Sequence, residues 1–230
     1  MNWDYTMAEG IRKSFVKAVV NQSVSWCKFN RSSSVWNKDF FKRHYELAKD
    51  KLHYLEKGKR EGNLYDENII TILDVINTNR DDQACAIYEL ACNEVEEETH
   101  QAMEAAIHNF CTLSSRAGSQ IPFSSINFGT DTTPEGRLAI RETLRAIENG
   151  LGHHEIALFP ISVFRILKGI NYEPGDPNYD LFKYVCKVSA KRLYPNFLNC
   201  SASYNIKYYK PGNPATLAAT MGKRKLSPSV

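Results

Sequence analysis

The sequence has no run of about 18 apolar residues, the length that a membrane-spanning helix needs. We therefore expect no membrane partner. The chain also has no large excess of charge of either sign, since its 230 residues carry a net charge of +3. A charge this small does not by itself indicate a nucleic-acid-binding protein. Hydrophobic residues make up 43% of the chain and charged residues 24%, which is typical of a globular protein with a sizeable core.

Paired cysteines are missing as well. The six cysteines are widely scattered and include no C-x-x-C pair, which argues against a zinc knuckle and a disulfide framework. Their spacing predicts reduced thiols, no metal site and a cytoplasmic location. The chain also lacks a P-loop, a G-x-G-x-x-G motif and the spacing of a Ser/His/Asp triad.

The first half of the chain is predicted to be helical. The segment 7–20 repeats apolar residues at i, i+4 spacing, and the segment 81–113 repeats them at close to helical period over its whole length. A third helix is predicted over 37–62, with Asn37 as its N-cap and Gly62 at its end. These patterns indicate a helical N-terminal part.

From about residue 116 the pattern changes to alternating strands and helices. A short strand is predicted within 120–129 and a second strand over 153–169. A helix with Thr133 as N-cap and Gly150 after its end separates them, and a second helix ends at Pro195. This order favours a parallel α/β arrangement.

The segment between the first strand and its helix is the best candidate for a binding site. The loop from Phe128 to Pro134 leads from a strand end to the free N–H groups of a helix, which suit a phosphate or a carboxylate. An ordinary, well-capped strand-to-helix connection would have the same pattern. The candidate nucleotide-binding residues in and before this loop are Arg116, Gln120, Thr130, Thr132 and Thr133.

Other reactive side chains favour simpler interpretations. Joint metal binding by His153 and His154 is not expected, because adjacent residues of a strand point to opposite faces. A turn with exposed rings is predicted instead. His100 and His108 lie among glutamates at a spacing that favours a solvated helix face over a metal site. Cys111 precedes Arg116, which could lower the pKa of the thiol, but a buried cysteine at helical period is the commoner situation.

Three long segments carry a resemblance to a known family. The words "NWDYTMAEGIRKSF", "SRAGSQIPFSSINFGTDTTPEGR" and "LFPISVFRILKGINYEPGDPNYDLFKYVCKVSAKRLYPNF" occur in the order found in the anaerobic (class III) ribonucleoside-triphosphate reductases. The chain resembles these glycyl-radical enzymes from about residue 2 to residue 222.

The resemblance implies a fold and a chemistry. It implies that ribonucleoside triphosphates are reduced at the 2′ carbon inside a ten-stranded α/β barrel, with formate as the usual reductant. In such enzymes a separate iron–sulfur activase uses S-adenosylmethionine to make a glycyl radical, and that radical oxidises a cysteine at a loop tip. The resemblance also implies a four-cysteine structural zinc site and a homodimer partner.

The chain departs from the family where this chemistry takes place. The family's loop-tip cysteine lies in the word M-G-C-R, whereas Met221 and Gly222 are followed here by Lys223 and Arg224. An ammonium group cannot form the radical that a thiol forms. The early cysteine of the family would precede Met1, and the glycine and zinc cysteines would follow Val230. No catalytic residue, metal site or cofactor is therefore expected in this chain.

We thus expect an inactive internal fragment of such a reductase. Its expected parts are a helical segment packing outside the barrel (1–115), βαβ units forming part of the barrel (116–222) and a divergent tail (223–230). The alternative is a non-catalytic nucleotide-binding or subunit-interaction protein derived from that enzyme. A nucleic-acid patch at 223–225 with Lys207 and Lys210 offers few phosphate contacts, so we expect no nucleic-acid partner.

Overall fold

The computed structural model describes residues 2–30, 45–46, 48–76, 80–114, 118, 120–210 and 213. The helices and strands follow in chain order: α1 (Trp3–Asn30), α2 (Asn63–Ile76), α3 (Asp81–Thr112), β1 (Ser125–Phe128), α4 (Pro134–Asn149), β2 (Ile161–Ile166), α5 (Tyr179–Arg192), β3 (Asn196–Asn199) and α6 (Ser203–Ile206). A short 3-10 turn covers Lys57–Lys59. The chain is thus mixed α/β with a helical N-terminal part.

In the described part of the chain the strands form one parallel sheet in the order β1–β2–β3. Ser125 pairs with Ile161 and Val163 pairs with Asn196, so the three strands run side by side in the same direction. Two β–α–β units connect them, with α4 and α5 as the crossover helices. The predicted parallel arrangement is confirmed.

The chain divides into two compact units. The helical unit comprises residues 9–98, and the sheet unit comprises the residues before 9 and after 98. The sheet unit is built on a core in which Phe164 of β2 packs edge-on against Phe128 of β1, with ring centroids 5.8 Å apart. The helical unit has its own core, where the Phe15 ring contacts Tyr54 at 6.0 Å and Tyr88 at 5.6 Å. The predicted domain boundaries at 115 and 222 stay a prediction.

The predicted helix over 37–62 is wrong in its second part. The chain leaves the helical conformation at Lys49, and residues 52–56 have no regular structure. The side chain of Asn68 holds this segment, because it accepts from the His53 N–H at 3.0 Å and donates to the His53 carbonyl at 2.8 Å. Leu52 and Tyr54, two residues apart, are fully buried there. The predicted N-cap Asn37 lies outside the described residues.

Two further elements differ from the sequence prediction. Helix α2 was not predicted at all. The predicted strand over 153–169 begins only at Ile161, because residues 151–155 form a turn closed by a hydrogen bond from the Leu151 N–H to the Glu155 carbonyl at 2.9 Å. Pro160, just before the strand, has no N–H to give to a sheet.

The helix after β1 agrees with its sequence signals. Thr133 is the N-cap of α4 and accepts a hydrogen bond from the Gly136 N–H at 3.1 Å, with Pro134 at the first helical position. Gly150 follows the last residue, with a φ of 76° that suits glycine. No helix in the described part of the chain is long and apolar enough to cross a membrane.

Candidate functional site

The loop after β1 holds an anion, and that anion is a carboxylate of the chain itself. The N–H groups of Gly129, Thr130 and Asp131 all donate to Oδ2 of Asp4, at 2.9, 3.1 and 3.2 Å. Asp4 lies in the first turn of α1 and is fully buried. Successive N–H groups of this kind form the backbone concavities that bind anions in proteins. The N–H groups that hold this carboxylate belong to the loop itself and are not the helix N–H groups on which the sequence prediction was based.

The positive partner of Asp4 is Arg165, near the carboxyl end of β2. Its Nη2 lies 3.3 Å from Oδ1 of Asp4, and its Nη1 donates to Oδ1 of Asn2 at 3.0 Å. The Arg165 side chain is 1% exposed, and its guanidinium carbon lies 5.9 Å from the centre of the Tyr5 ring. Further hydrogen bonds, from the loop N–H groups to Asp4 and from Arg165 to Asn2, help to offset the cost of burying this ion pair.

Two buried asparagines hold the carbonyl side of the same loop. Asn171 donates to the Gly129 carbonyl at 2.8 Å, and Asn178 donates to the Asp131 carbonyl at 2.8 Å. Both asparagines lie in the connection after β2 and are fully buried. Both the N–H and the carbonyl groups of the loop are therefore bonded to buried side chains from distant parts of the sequence.

An arginine of α4 extends this network to α5. Arg137 donates to Oδ1 of Asn178 at 2.8 Å and to the carbonyl of Pro177. It also forms a bidentate pair with Asp180, at 3.1 Å from Oδ1 and 2.6 Å from Oδ2. Burial raises the pKa of Asp180, but the bonds and charge of Arg137 outweigh it, so the net pKa is lowered. Asp180 is consequently ionised at neutral pH.

Asp131 links the loop to the N-terminus of α4. Its Oδ1 accepts from the N–H of Thr133 at 2.9 Å and from the Thr133 hydroxyl at 2.8 Å. Gly136 leaves the space for this carboxylate, since a Cβ at that position would lie 2.2 Å from the Asp131 Cγ. The N-terminus of α4 is therefore capped within the chain.

The predicted nucleotide-binding residues lie in different places. Thr130 is buried and its carbonyl accepts from the Tyr5 hydroxyl at 3.2 Å, whereas Thr132 and Thr133 are exposed beside it. Gln120 is exposed but precedes the amino end of β1, at the other end of the strand. Arg116 and Lys223 lie outside the described residues. The loop brings the three threonines together, and nucleotide binding by this set stays a prediction.

Sequence reasoning did not identify Asp4, Arg165, Asn171, Asn178 or Arg137 as members of this site. Only Arg165 carries a local signal, because a charged residue within the otherwise apolar strand ISVFRI needs a buried partner. The other four act over large sequence separations, and their residue types alone do not indicate a partner.

Three of the four histidines agree with their simpler interpretations, since His108 is exposed on its helix, but the predicted solvated face is wrong for His100, whose side chain is only 17% exposed. His153 and His154 lie in an exposed turn, as predicted. His100 approaches two glutamates, with Nε2 at 3.1 Å from Glu104 Oε1 and Nδ1 at 3.1 Å from Glu142 Oε2. The second contact lacks the alignment of a hydrogen bond. Among the described residues, no group of three or more His, Cys, Asp or Glu side chains could hold a metal ion.

All six cysteines are free thiols, and the structure separates them by environment. Burial raises the pKa of Cys92 to about 12 and that of Cys200 to about 11. Cys186 on α5 is exposed. Cys111 is half-buried and its thiol donates to the Phe159 carbonyl at 2.9 Å. Cys200, the cysteine nearest in sequence to residue 223, is therefore a protonated core thiol.

We predict that Cys186 reacts with a disulfide reagent well before the buried cysteines do. Burial raises the pKa of Cys186 as well, but its thiol is exposed. Cys92 and Cys200 are buried, with pKa values raised to about 12 and about 11, so they should react at least about tenfold more slowly at pH 8 in the folded chain. Thiol titration with peptide mapping measures this difference. The Cys186→Ser variant, as the control, should lose the fast phase. Fast labelling of Cys200 in the folded chain would contradict the prediction.

Comparisons with known proteins agree on one family. The model of the family described as "Anaerobic ribonucleoside-triphosphate reductase" matches residues 1–227. Curated proteins of that name include those of Haemophilus influenzae, 37% identical over 106 residues, and Escherichia coli, 38% identical over 103 residues. That of Enterobacteria phage T4 is 33% identical over 110 residues.

The matched parts are small relative to these proteins. They cover 46%, 44% and 47% of this chain and 15%, 14% and 18% of the Haemophilus influenzae, Escherichia coli and phage T4 proteins, respectively. The family model, in contrast, extends over nearly the whole chain. The chain therefore belongs to the anaerobic ribonucleoside-triphosphate reductase family.

Proposed function

We propose that the chain is part of an enzyme system that reduces ribonucleoside triphosphates to deoxyribonucleoside triphosphates by radical chemistry, with formate as reductant. The observation that carries this proposal is the match of the reductase family model to residues 1–227. The glycyl radical, the S-adenosylmethionine-dependent activase, the structural zinc and the homodimer partner are proposed for the complete enzyme in the cytoplasm. The described residues of this chain do not fit a metal site.

We propose further that the sheet is part of a ten-stranded barrel. In the described part of the chain, β3 pairs only with β2, so its outer edge offers backbone groups to another strand. Phe197 on β3 is 43% exposed although it packs against Phe164, at 6.3 Å between ring centroids. A further strand beside β3 would cover this ring.

The chain by itself is proposed not to catalyse the reduction. Hydrogen abstraction from ribose needs a thiyl radical, and residue 223 supplies an ammonium where the family resemblance implies a thiol. None of the cysteines that the structure describes has a matched catalytic position, and Cys200 is buried. The proposed inactivity follows from the residue type at position 223, because a lysine cannot form a thiyl radical in any conformation.

An activity assay tests this proposal. We expect the purified chain, incubated anaerobically with a family activase, S-adenosylmethionine, formate and each ribonucleoside triphosphate, to form no deoxyribonucleotide. Product formation would overturn the proposal that the chain is inactive. A full-length curated relative assayed in parallel shows that the activase and reagents are competent.

Nucleotide binding can persist without catalysis. Thr132 and Thr133 are exposed beside the loop in which Asp4 already occupies three N–H groups, and the Thr133 hydroxyl is bonded to Asp131 and to the Gly136 N–H. We therefore propose that a triphosphate contacts the Thr132 hydroxyl, with Arg116 as a further candidate, whereas Gln120 lies at the other end of β1. Triphosphate binding at this loop is also what the alternative function requires, in which the chain is a non-catalytic nucleotide-binding protein.

Calorimetric titration with ribonucleoside triphosphates tests whether the chain binds nucleotide at this loop. Saturable heat that weakens at least about threefold in Thr132→Ala supports a nucleotide site at the loop, since a hydrogen bond to a charged group contributes about 1.5–3 kcal/mol in favourable cases. Thr71→Ala, a half-buried threonine of α2 whose hydroxyl donates to the Glu67 carbonyl, is the control. Absence of saturable heat, or an equal effect of both variants, would contradict binding at the loop.

A further inference from the structure

The connections that precede the three strands present exposed apolar side chains at one end of the sheet. We name this group of side chains the amino-end surface. Its members are large, exposed apolar side chains: Ile121 (36% exposed), Phe123 (72%), Ile156 (49%), Leu158 (76%) and Leu193 (87%). Two of them precede β1, two precede β2, and Leu193 precedes β3. Because the strands are parallel, all three connections lie at the same end of the sheet.

Direct contacts hold the three connections together. The Phe123 ring packs edge-on against Phe159, with centroids 5.1 Å apart, and the Ile161 N–H donates to the Ser124 carbonyl at 2.9 Å. Arg192, next to Leu193, donates to the His154 carbonyl at 2.7 Å. The five side chains are thus presented by adjacent, mutually bonded segments.

The surface has no charge within its first two segments. Residues 120–125 and 156–162 read QIPFSS and IALFPIS and contain no ionisable side chain. An exposed apolar patch of this kind marks an interaction site in a folded protein. A charged ligand such as a phosphate or a nucleic acid finds no complementary group in these two segments.

Leu193 adds an independent observation. It ends α5 with a φ of 63°, in the left-handed region that favours glycine or asparagine, and its side chain is 87% exposed. A leucine at this position is strained and gains nothing from burial in the described structure. Its side chain gains a favourable environment only when a partner covers it.

We propose that the amino-end surface docks an amphipathic helix contributed by the remainder of a reductase polypeptide. Three neighbouring strands span about 10 Å, since strands lie about 4.8 Å apart. That width matches the diameter of about 10–12 Å of one helix with its side chains. The curated relatives supply ample sequence for such a helix, because the parts matched here cover 14–18% of their length. This inference uses family membership and does not depend on nucleotide binding.

Peptide binding to the full chain tests the proposal. Overlapping 25-residue peptides that span the Escherichia coli relative are titrated against the immobilised chain by interferometry. We expect saturable binding by a small set of peptides with one apolar helical face, from outside the matched region. The double variant Phe123→Lys/Leu158→Lys should weaken this binding at least tenfold. The matched control Ile70→Lys/Leu90→Lys, which alters two exposed residues of the helical unit, should leave it unchanged.

Leu193→Gly separates docking from folding. It should raise the melting temperature, because glycine suits the backbone, and should still weaken the peptide binding. Absence of peptide binding, or equal binding by the surface and control variants, would overturn the proposal. Concentration-dependent dimerisation in sedimentation experiments, abolished by Phe123→Lys/Leu158→Lys, would also overturn it by identifying a second copy of the chain as the occupant.

Discussion

Replacing Asp4 by alanine should lower the free energy of unfolding by about 3–5 kcal/mol, the usual cost of removing one partner of a buried ion pair. The change leaves the guanidinium of Arg165 buried without the nearby carboxylate, 3.3 Å away in the native chain. It also removes the acceptor shared by the N–H groups of residues 129–131. Urea denaturation followed by circular dichroism measures the loss.

Two further variants identify the cause of this loss. Asp4→Asn keeps an oxygen for the N–H groups but no charge for Arg165, so it should cost clearly less than Asp4→Ala. Glu173→Ala, an exposed carboxylate, should change stability by less than about 0.5 kcal/mol. A loss below about 1 kcal/mol in Asp4→Ala would show that solvent already shields this pair.

The same pair predicts a non-additive double variant. In an Arg165→Met background, Asp4→Ala no longer leaves a buried positive charge without its carboxylate, so its cost should fall by at least about 1 kcal/mol. Equal costs in both backgrounds would mean that Asp4 acts only as an acceptor for the loop.

Elements with strong local signals could be predicted from the sequence. Helix α4 has its N-cap Thr133, its first-turn proline Pro134 and its terminal Gly150 within one short segment, so neighbouring residues alone decide its limits. The parallel order of β1 and β2 follows from the helix between them. These predictions needed no knowledge of distant contacts.

Elements that depend on distant contacts could not be predicted. The segment after Lys49 reads as a continuing helix, but the side chain of Asn68 bonds both backbone groups of His53 and keeps the chain extended. The tertiary contact outweighs a helix propensity of a few tenths of a kcal/mol per residue. Periodicity alone cannot reveal a bond of this type.

The loop after β1 was predictable from local sequence signals, but the group that it binds was not. The small polar residues and the helix start after β1 indicate a loop that offers N–H groups to an anion. The identity of the anion depends on Asp4, 125 residues away from Gly129, and no local pattern links the two. The resemblance of both segments to one family indicates that they occur together, but not that they touch.

Replacing Asn171 by leucine should lower the free energy of unfolding by about 2–5 kcal/mol, because each buried polar group that loses its partner costs about 1–3 kcal/mol. Asn171 donates to the carbonyls of Gly129 and Arg165, at 2.8 Å each, and accepts from the Leu167 N–H at 2.9 Å. Leucine has a similar volume but makes none of these bonds.

The matched control is Asn109→Leu, the same substitution at an exposed position of α3, which should change stability by less than about 0.5 kcal/mol. Urea denaturation of both variants provides the comparison. Hydrogen exchange adds a local measurement, since the Gly129 and Thr130 amides should lose protection in Asn171→Leu when the loop around Asp4 loosens. Equal stabilities with unchanged protection would show that Asn171 fills space without holding the loop.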